Sequence, residues 1–347
     1  MLSTILIMAG GAGERFWPLS TRERPKQLLK LIDEKRSLIQ MTVERVLPMV
    51  PAERIFIATN AVQAPAIRED LPFLPQQNII LEPAFKDTAA AIGFASIVIE
   101  SICPGSVMAV LASDHLIKNE ESFRETLTQA IEIAERDNAI VTLGVRPSYP
   151  ETGYGYLETK EMEIGKPVKV LRFCEKPAPD LALEYFKGGR HLWNSGMFIF
   201  KVSVMMDAFR RLMPNHAAAF EKIAALGEGM RDAQNHDLIN IFNTLQKISI
   251  DFGVMEKFEN TVVIPVDFGW SDIGSFPALA DVFPGNENGT VVKGAEVNDI
   301  SSTNNIVIST TGKKISLLGV DDMVIVETPD NILICSKKEA QNIKKLL

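Results

Sequence analysis

The sequence predicts an α/β fold with a mixed, mostly parallel sheet, and three observations carry this prediction. Residues 3–9 form a largely apolar run that ends in glycines, as a buried parallel strand does. A helical apolar pattern at 37–50 is followed by β-rich runs at 54–59 and 78–81. Residues 107–112 form another continuous apolar strand. This alternation favours a Rossmann-like sheet with right-handed crossovers and helices on both faces.

The alternation continues through the rest of the first 283 residues. Helical patterns are expected at about 119–136, 202–226 and 237–247. Strands are expected at 139–144, 168–174 and 261–266.

A glycine-rich turn with positive charge beside it follows the first strand. Gly10, Gly11 and Gly13 let backbone N–H groups approach a ligand closely, because no Cβ intervenes. Positive charge is concentrated just after them, at Arg15, Arg22, Arg24 and Lys26. The spacing fits neither the dinucleotide-binding pattern nor a Walker A motif. The segment predicts a polyphosphate site at the carboxyl end of a strand, although a tight turn alone would leave a similar pattern.

Composition excludes several classes of partner. The chain has 347 residues and a formal net charge of −8, which argues against nucleic acid and requires the positive charge for an anionic ligand to be local. Its 46% hydrophobic content is typical of a globular protein with its own core. No cleavable leader and no bilayer-length apolar segment is visible, so we expect a cytoplasmic protein without membrane contact.

Two acids follow predicted strands. Glu82 ends the run at 78–81, and guanine presents N1–H and N2–H₂ as neighbouring donors that one carboxylate can accept. Glu82 is therefore predicted to select guanine, the alternative being a solvated acid at a strand end. Just beyond it, Asp87 and Thr88 are natural N-caps of the next helix.

Asp114 follows the strand at 107–112. Acids at the carboxyl end of a central strand lie in the ligand crevice of a doubly wound sheet, and a carboxylate beside substrate phosphates suits Mg²⁺. Asp114 is predicted as a Mg²⁺ ligand, with capping of the helix near Asn119 as the alternative. His115, next in the chain, is expected to pack or hydrogen-bond locally.

The glycine loop resembles the signature of the sugar-phosphate nucleotidyltransferases. In that family Gly-Gly-x-Gly-x-Arg, here at 10–15, recurs before Pro-Leu-Ser, here at 18–20, and Pro-Lys, here at 25–26. The resemblance covers about residues 3–276 and continues more weakly to the end. It implies the fold of the nucleotide-diphospho-sugar transferases, with a nucleotide bound at Ala9, Gly10, Gly11, Gly13, Glu82 and Thr88.

The guanylyltransferase branch of this family carries Glu-Pro, as this chain does at 82–83. That branch usually has Asn-Thr-Ala-Pro-Ala where this chain has Asp-Thr-Ala-Ala-Ala at 87–91, a departure that bears on Asp87 and not on Glu82. The resemblance implies GTP and mannose 1-phosphate as substrates, with GDP-mannose and pyrophosphate as products. The identity of the sugar rests on the resemblance alone.

Three later segments resemble the sugar-binding half of the family, at 152–156, 175–177 and 193–200. A sugar 1-phosphate requires a carboxylate, an amide, a close backbone approach and a cation. The resemblance assigns these in turn to Glu175, Asn194, Gly153 and Lys176. Each of them alone could be an ordinary turn or strand exit.

The segment at 248–257 resembles the family's helix before its last core strand, so a helix is expected there. The segment at 267–275 resembles the end of the family's core domain, and the resemblance makes Asp272 the second Mg²⁺ carboxylate. Two acids from distant strand ends can share one hard cation and leave positions for phosphate oxygens. The alternative is that Asp272 caps a helix that starts near Gly274.

The composition changes after Phe283. A linker precedes short β-rich runs at 290–292, 305–309, 314–318, 323–327 and 332–335 and a short terminal helix. We predict a catalytic domain at 1–283 and a small all-β domain at 284–347. It could be β-helix-like, as in the family, although no hexapeptide period is visible. We expect this domain to form a homodimer, and we expect no fused isomerase domain and no isomerase activity.

The resemblance implies in-line attack of the sugar phosphate on the α-phosphorus of GTP. Alignment and charge neutralisation would catalyse this transfer, without a protein nucleophile. The expected catalytic residues are Arg15, Lys26, Asp114 and Asp272. One open alternative is a nucleotidyltransferase for another nucleotide or hexose 1-phosphate. The other is a non-catalytic nucleotide-sugar sensor, which would be expected to lose one of these four residues.

Overall fold

A computed structural model describes residues 3–347, which form two compact units. The first unit comprises the stretch that ends at Gly10, together with Thr42–Ser113 and Ile117–Trp270. The second unit comprises Gly11–Met41, Asp114–Leu116 and Ser271–Leu347. The second unit thus combines the glycine loop with the carboxyl-terminal part of the chain, whereas the domain boundary at residue 283 stays a prediction.

Ten strands form one sheet in the first unit. They are β1 (Ser3–Met8), β2 (Ile55–Thr59), β3 (Ile79–Leu81), β4 (Val107–Ala112), β6 (Ile140–Val145), β7 (Tyr156–Glu158), β8 (Val168–Lys169), β9 (Arg172–Cys174), β10 (His191–Lys201) and β11 (Thr261–Val266). Two short strands, β5 (Leu116–Ile117) and β12 (Trp270–Ser271), lie outside this sheet.

The sheet is mixed and mostly parallel, as predicted. Its order is β3-β2-β1-β4-β10-β6-β11-β8, and β7 pairs with β10 and β9. Strand β10 is antiparallel to both β4 and β6, which leaves β1 to β4, β6 and β11 running in one direction. The carboxyl ends of these parallel strands therefore meet at one edge, where ligands of such sheets bind.

The buried apolar runs explain why these strands form. Ile5, Leu6 and Ile7 of β1 have no exposed surface, and every residue of β2 and β6 is buried. Strands covered on both faces have this continuous apolar pattern. The predicted strand at 168–174 is divided into β8 and β9.

Eight α-helices accompany the strands described above. They are α1 (Leu38–Val46), α2 (Ala64–Asp70), α3 (Asp87–Ile102), α4 (Glu120–Asp137), α5 (Pro179–Gly188), α6 (Val202–Leu212), α7 (Pro214–Ala224) and α8 (His236–Asn243). Short 3₁₀ segments lie at Glu14–Phe16, Lys26–Leu28, Ala52–Arg54, Gln76–Asn78, Gly227–Arg231, Phe276–Asp281 and Lys337–Leu346. No helix within residues 3–347 combines the length and apolar character needed to cross a membrane.

Two of the expected helices differ from the prediction. The pattern at 202–226 is two helices, because Pro214 lacks an N–H and is tolerated only in the first turn of a new helix. The helix expected over 248–257 is a short π-helical segment, Asp251–Met255. Such segments are frequent at functional sites.

The carboxyl-terminal part of the second unit is β-helix-like. Strands β13 (Val291–Lys293), β15 (Ile306–Ser309), β17 (Met323–Glu327) and β18 (Ile332–Ser336) form one sheet, and β14 (Glu296–Ile300) pairs with β16 (Lys314–Leu318). All of these pairings are parallel except that of β17 with β18. The strand β14 was not predicted.

Successive coils repeat after 18 residues. Glu296 pairs in register with Lys314, and their side chains form an ion pair across this 18-residue separation. Residues with positive φ recur at the same interval, at Gly294 and Gly312, Ser301 and Gly319, and Asn304 and Asp322. The coil corners therefore determine the repeat.

Candidate active site

The backbone after β1 is held against β2 in the first unit. The Ala9 N–H donates to the Ala58 carbonyl at 2.8 Å, and the Thr59 hydroxyl donates to the Ala9 carbonyl at 2.9 Å. A Cβ at Gly10 would lie 3.5 Å from Glu82 Oε1. The structure therefore places Ala9 and Gly10 next to the acid that was predicted to recognise the base.

Glu82 follows β3, and its N–H donates to the Thr59 carbonyl at 2.8 Å. Burial, together with the negative charge of Asp87, raises the pKa of Glu82 to about 8. Burial is the larger cause, so hydrogen-bond donors from a ligand would stabilise the ionised form. Two adjacent N–H groups of a purine are donors of the required kind.

Asp87 and Thr88 begin α3, and the protein itself engages both side chains. Asp87 has a φ of 68°, and its carboxylate accepts from the Thr88 N–H at 2.8 Å. The Thr88 hydroxyl accepts from the Ile250 N–H at 2.8 Å, which ties the start of α3 to the segment that carries Asp251. The role of Thr88 in binding a nucleotide stays a prediction.

Polar side chains also converge in the part of the first unit that was predicted to bind the sugar. Asn194 Nδ2 donates to Asp251 Oδ1 at 3.2 Å, and Asn194 Oδ1 accepts from the Gly196 N–H at 3.1 Å. A Cβ at Gly155 would lie only 2.6 Å from Glu175 Oε2 and 3.6 Å from the Asn194 Cβ. Glycine at this position therefore leaves room for the Glu175 carboxylate beside the amide.

The side chains of this cluster differ in charge and exposure. The cluster consists of Glu175, Lys176, Asn194 and Asp251. Burial and the negative charge of Glu175 raise the pKa of Asp251 to about 6. Lys176 Nζ donates to Glu175 Oε1, and the Lys176 side chain is 61% exposed whereas that of Glu175 is 7% exposed. Two carboxyl groups, an amide and an accessible ammonium group are a suitable set for sugar hydroxyls and a phosphate.

The sequence predicted three members of this cluster and missed others. Glu175, Lys176 and Asn194 are brought together, whereas the Gly153 N–H donates to Glu151 Oε1 at 2.7 Å. Gly155, two residues further on, lies close to Glu175 Oε2, and the approach of Gly153 to a sugar stays a prediction. Asp251 was also missed, because only the fold brings it to Asn194, which lies 57 residues away in the chain.

In the second unit, Gly13 turns the glycine loop toward Lys26. Its φ is 63°, and a Cβ there would lie 2.5 Å from the Lys26 backbone nitrogen, so both conformation and space require glycine. The Gly13 carbonyl accepts from the Ser20 hydroxyl at 2.8 Å. The Gly11 carbonyl accepts from Gln27 Nε2 at 3.3 Å. The loop is thus fixed by the residues of the Pro-Leu-Ser and Pro-Lys-Gln segments.

Lys26 joins the two aspartates that were expected to bind the metal. It is 6% exposed, and its Nζ donates to Asp114 Oδ2 at 2.8 Å and to the backbone carbonyl of Asp272. Burial opposes ionisation of Asp114, but the charges of Lys26 and His115 outweigh burial and hold the pKa of this carboxyl below its ordinary value. Asp114 is therefore ionised at neutral pH.

Arg15 is anchored near Asp272. Its Nη1 donates to the Gly274 carbonyl at 3.3 Å. Ile273, between Asp272 and Gly274, is completely buried. Its φ of 44° is an unusual backbone conformation for a β-branched residue. Strain of this kind is often retained at functional sites. Burial of Ile273 holds the turn that carries Asp272.

Arg15, Lys26, Asp114 and Asp272 line one pocket of about 340 Å³ in the second unit. His115 lines it too, although the sequence had suggested only local packing for it. Two carboxylates are suitable ligands for a hard cation such as Mg²⁺, which usually completes its coordination with water and phosphate oxygens. Within residues 3–347 no group of three or more potential metal-ligating side chains occurs. A cation bound here would therefore depend on ligand oxygens.

Two family models match the chain. The model described as nucleotidyl transferase matches residues 4–289. The model described as the MannoseP isomerase/GMP-like beta-helix domain matches residues 297–347.

Curated proteins and solved structures similar to the chain carry related names. Mannose-1-phosphate guanylyltransferase 2 of Escherichia coli O157:H7 is 36% identical over 99% of this chain and 72% of its own length. Mannose-1-phosphate guanylyltransferase RfbM of Salmonella typhimurium is 36% identical over 99% of this chain and 71% of its own length. A crystal structure described as mannose-1-phosphate geranyltransferase from Thermus thermophilus has a TM-score of 0.88 and 34% identity, covering 100% of this chain and 98% of that one.

Proposed function

This chain belongs to the nucleotidyl transferase family, among the mannose-1-phosphate guanylyltransferases, and we propose that it transfers GMP from GTP to mannose 1-phosphate. The products would be GDP-mannose and pyrophosphate. The observation that carries the proposal is the buried Lys26 between Asp114 and Asp272, in a pocket that Arg15 also lines. Nucleotidyl transfer requires such fixed charges around the phosphates.

The second unit would hold the triphosphate. Backbone N–H groups of residues 11–13, the Arg15 guanidinium and the Lys26 ammonium would bind its oxygens, and Lys26 would balance charge that develops as pyrophosphate leaves. A sugar phosphate oxygen would attack the α-phosphorus in line. A divalent cation, which we propose to be Mg²⁺ held by Asp114 and Asp272, would supply further neutralisation of phosphate charge.

The first unit would recognise the base and the sugar. The ionised Glu82 would accept from N1–H and N2–H₂ of guanine, with Ala9 and Gly10 alongside. Glu175, Asn194 and Lys176 would contact the sugar and its phosphate. Asp251 joins them in the proposal, because its carboxylate already accepts from the Asn194 amide.

Pyrophosphate release from the purified protein with Mg²⁺ tests this function. GTP, ATP, UTP and dTTP would each be combined with mannose 1-phosphate and with glucose 1-phosphate. We expect release only with GTP and mannose 1-phosphate, and none from an Asp272→Asn protein prepared in the same way. Release with another pair would replace the base or sugar assignment, and silence with every pair would favour the sensor.

We further propose that the β-helix-like part forms a homodimer and that the protein acts in the cytoplasm. Ile300 and Leu318 are register partners on β14 and β16 and are 56% and 75% exposed. Ile332 and Ile334 of β18 are 66% and 63% exposed. Apolar groups exposed together are typical of protein interfaces. Sedimentation equilibrium should show a dimer for the wild type and a monomer for Ile300→Ser combined with Leu318→Ser.

A further inference from the structure

A lysine from the end of the chain reaches the pocket that contains Arg15 and Lys26. Lys344 lines this pocket of the second unit, and its side chain forms no ion pair with any residue of the described range 3–347. Lys26, in contrast, is engaged with Asp114 and Asp272. Lys344 is therefore an accessible positive charge at a site where phosphates are expected.

Packing holds the segment that carries Lys344. Ala340 and Ile343 are 1% and 2% exposed and belong to the same apolar cluster as Phe16 and Phe276. Phe16, the residue next to Arg15, packs against Phe276 in this cluster, with ring centroids 4.9 Å apart. The terminal 3₁₀ segment is thus a fixed part of the second unit.

The turn of the 3₁₀ helix explains the direction of Lys344. Side chains three residues apart lie on the same face of such a helix. Gln341, three residues earlier, has its Nε2 3.5 Å from the Ser275 hydroxyl, next to the pocket residue Gly274. Lys345 lies on another face, with Asn342, whose amide donates to Glu339 at 2.7 Å.

We propose that Lys344 binds the pyrophosphate end of the nucleotide, that is, the β- and γ-phosphates of the substrate and the released pyrophosphate. The proposal rests on the proposed nucleotidyl transfer. Pyrophosphate carries more negative charge than Arg15 and Lys26 together can balance, because Lys26 also pairs with Asp114. A flexible ammonium group can follow the leaving group as it departs. The terminal segment would thus be part of the active site and not only of the β-helix.

Calorimetric titration with inorganic pyrophosphate in the presence of Mg²⁺ tests this role without turnover. Lys344→Ala should raise the Kd for pyrophosphate about tenfold, as expected for loss of one charge-assisted contact. Lys345→Ala, the neighbouring exposed lysine, should bind as the wild type does, and Lys344→Arg should retain most of the affinity. Equal affinity of Lys344→Ala and the wild type would overturn the proposal, and so would equal losses in the Ala variants of Lys344 and Lys345.

Kinetics separate this proposal from the function itself. In the reverse reaction Lys344→Ala should raise the KM for pyrophosphate about tenfold and leave the KM for GDP-mannose unchanged. An equal rise in both KM values would indicate a general structural defect and overturn the proposal. If the wild-type protein has no activity with any pair of substrates, the proposed function fails, while the calorimetric comparison still decides whether Lys344 binds pyrophosphate.

Discussion

The two units treat half-buried carboxyl groups in opposite ways. In the first unit burial raises the pKa of Glu82 to about 8 and that of Asp251 to about 6, and neighbouring acids add to both shifts. In the second unit Asp114 is also subject to burial, but Lys26 and His115 hold its pKa below the ordinary value. The difference is that Lys26 forms an ion pair with Asp114, whereas Lys176 in the first unit is hydrogen-bonded to Glu175 and offsets only part of the shift of Asp251.

This difference corresponds to the chemistry of the proposed ligands. A base and a sugar offer N–H and O–H donors. Glu82 and Asp251, which form no ion pair with another described residue, would therefore accept hydrogen bonds from the ligand. A triphosphate brings negative charge, so the second unit must contain its own cations before the ligand arrives. Acids with raised pKa values in the absence of ligand are typical of binding sites.

The largest expected effect comes from removing the Lys26 ammonium group, which pairs with Asp114 in the second unit. Lys26→Met keeps most of the length of the side chain but removes the ammonium group, which lies 5.7 Å from the Phe16 ring centroid and donates to Asp114. We expect kcat for pyrophosphate release to fall by about 10³-fold, the loss typical of a fixed group that stabilises transition-state charge. Steady-state kinetics at saturating GTP and mannose 1-phosphate would measure it.

Lys30→Met is the matched control, because Lys30 is an exposed lysine four residues further on in the same segment. It should retain wild-type turnover. Thermal unfolding of both variants would show whether they are folded at the assay temperature. Normal turnover in a folded Lys26→Met protein would contradict the role assigned to Lys26.

A smaller effect is expected in the first unit, where Asp251 forms no ion pair with another described residue. Asp251→Asn can still accept from the Asn194 amide but loses the charge toward sugar hydroxyls. We expect the KM for mannose 1-phosphate to rise roughly 30-fold while the KM for GTP stays unchanged. Asp330→Asn, in an exposed turn of the second unit, should have no effect. A change in the KM for GTP alone would exclude Asp251 from the sugar site.

Much of the fold could be predicted because its determinants are local. The apolar runs of β1, β4 and β11 identify buried strands directly, and all three lie where the sequence indicated. Strand β14 escaped because Glu296–Ile300 alternates polar and apolar residues and exposes most of its surface. The coil repeat also escaped, because the corners use different residues, such as Ser301 and Gly319, for the same positive φ.

The sites divide in the same way. Gly13 could be predicted because its φ and the close approach of Lys26 leave only glycine, and the loop motif records both constraints. Asp251 could not, because its partner Asn194 lies 57 residues away and only the fold brings them together. Its neighbours in the chain give no indication of a sugar site.

The smallest of the three effects is a pH dependence that tests the uncompensated carboxyl of Glu82. Because its pKa is about 8, most of this group is protonated at pH 6.5 and presents a donor to the donors of guanine. The KM for GTP should therefore fall roughly tenfold between pH 6.5 and 8.5, as the carboxylate forms. Glu82→Gln removes the titrating carboxyl group, so its KM for GTP should be high and should change much less over this range. Any change that remains reports the titration of GTP itself. Parallel pH profiles in the two proteins would show that Glu82 does not contact the base.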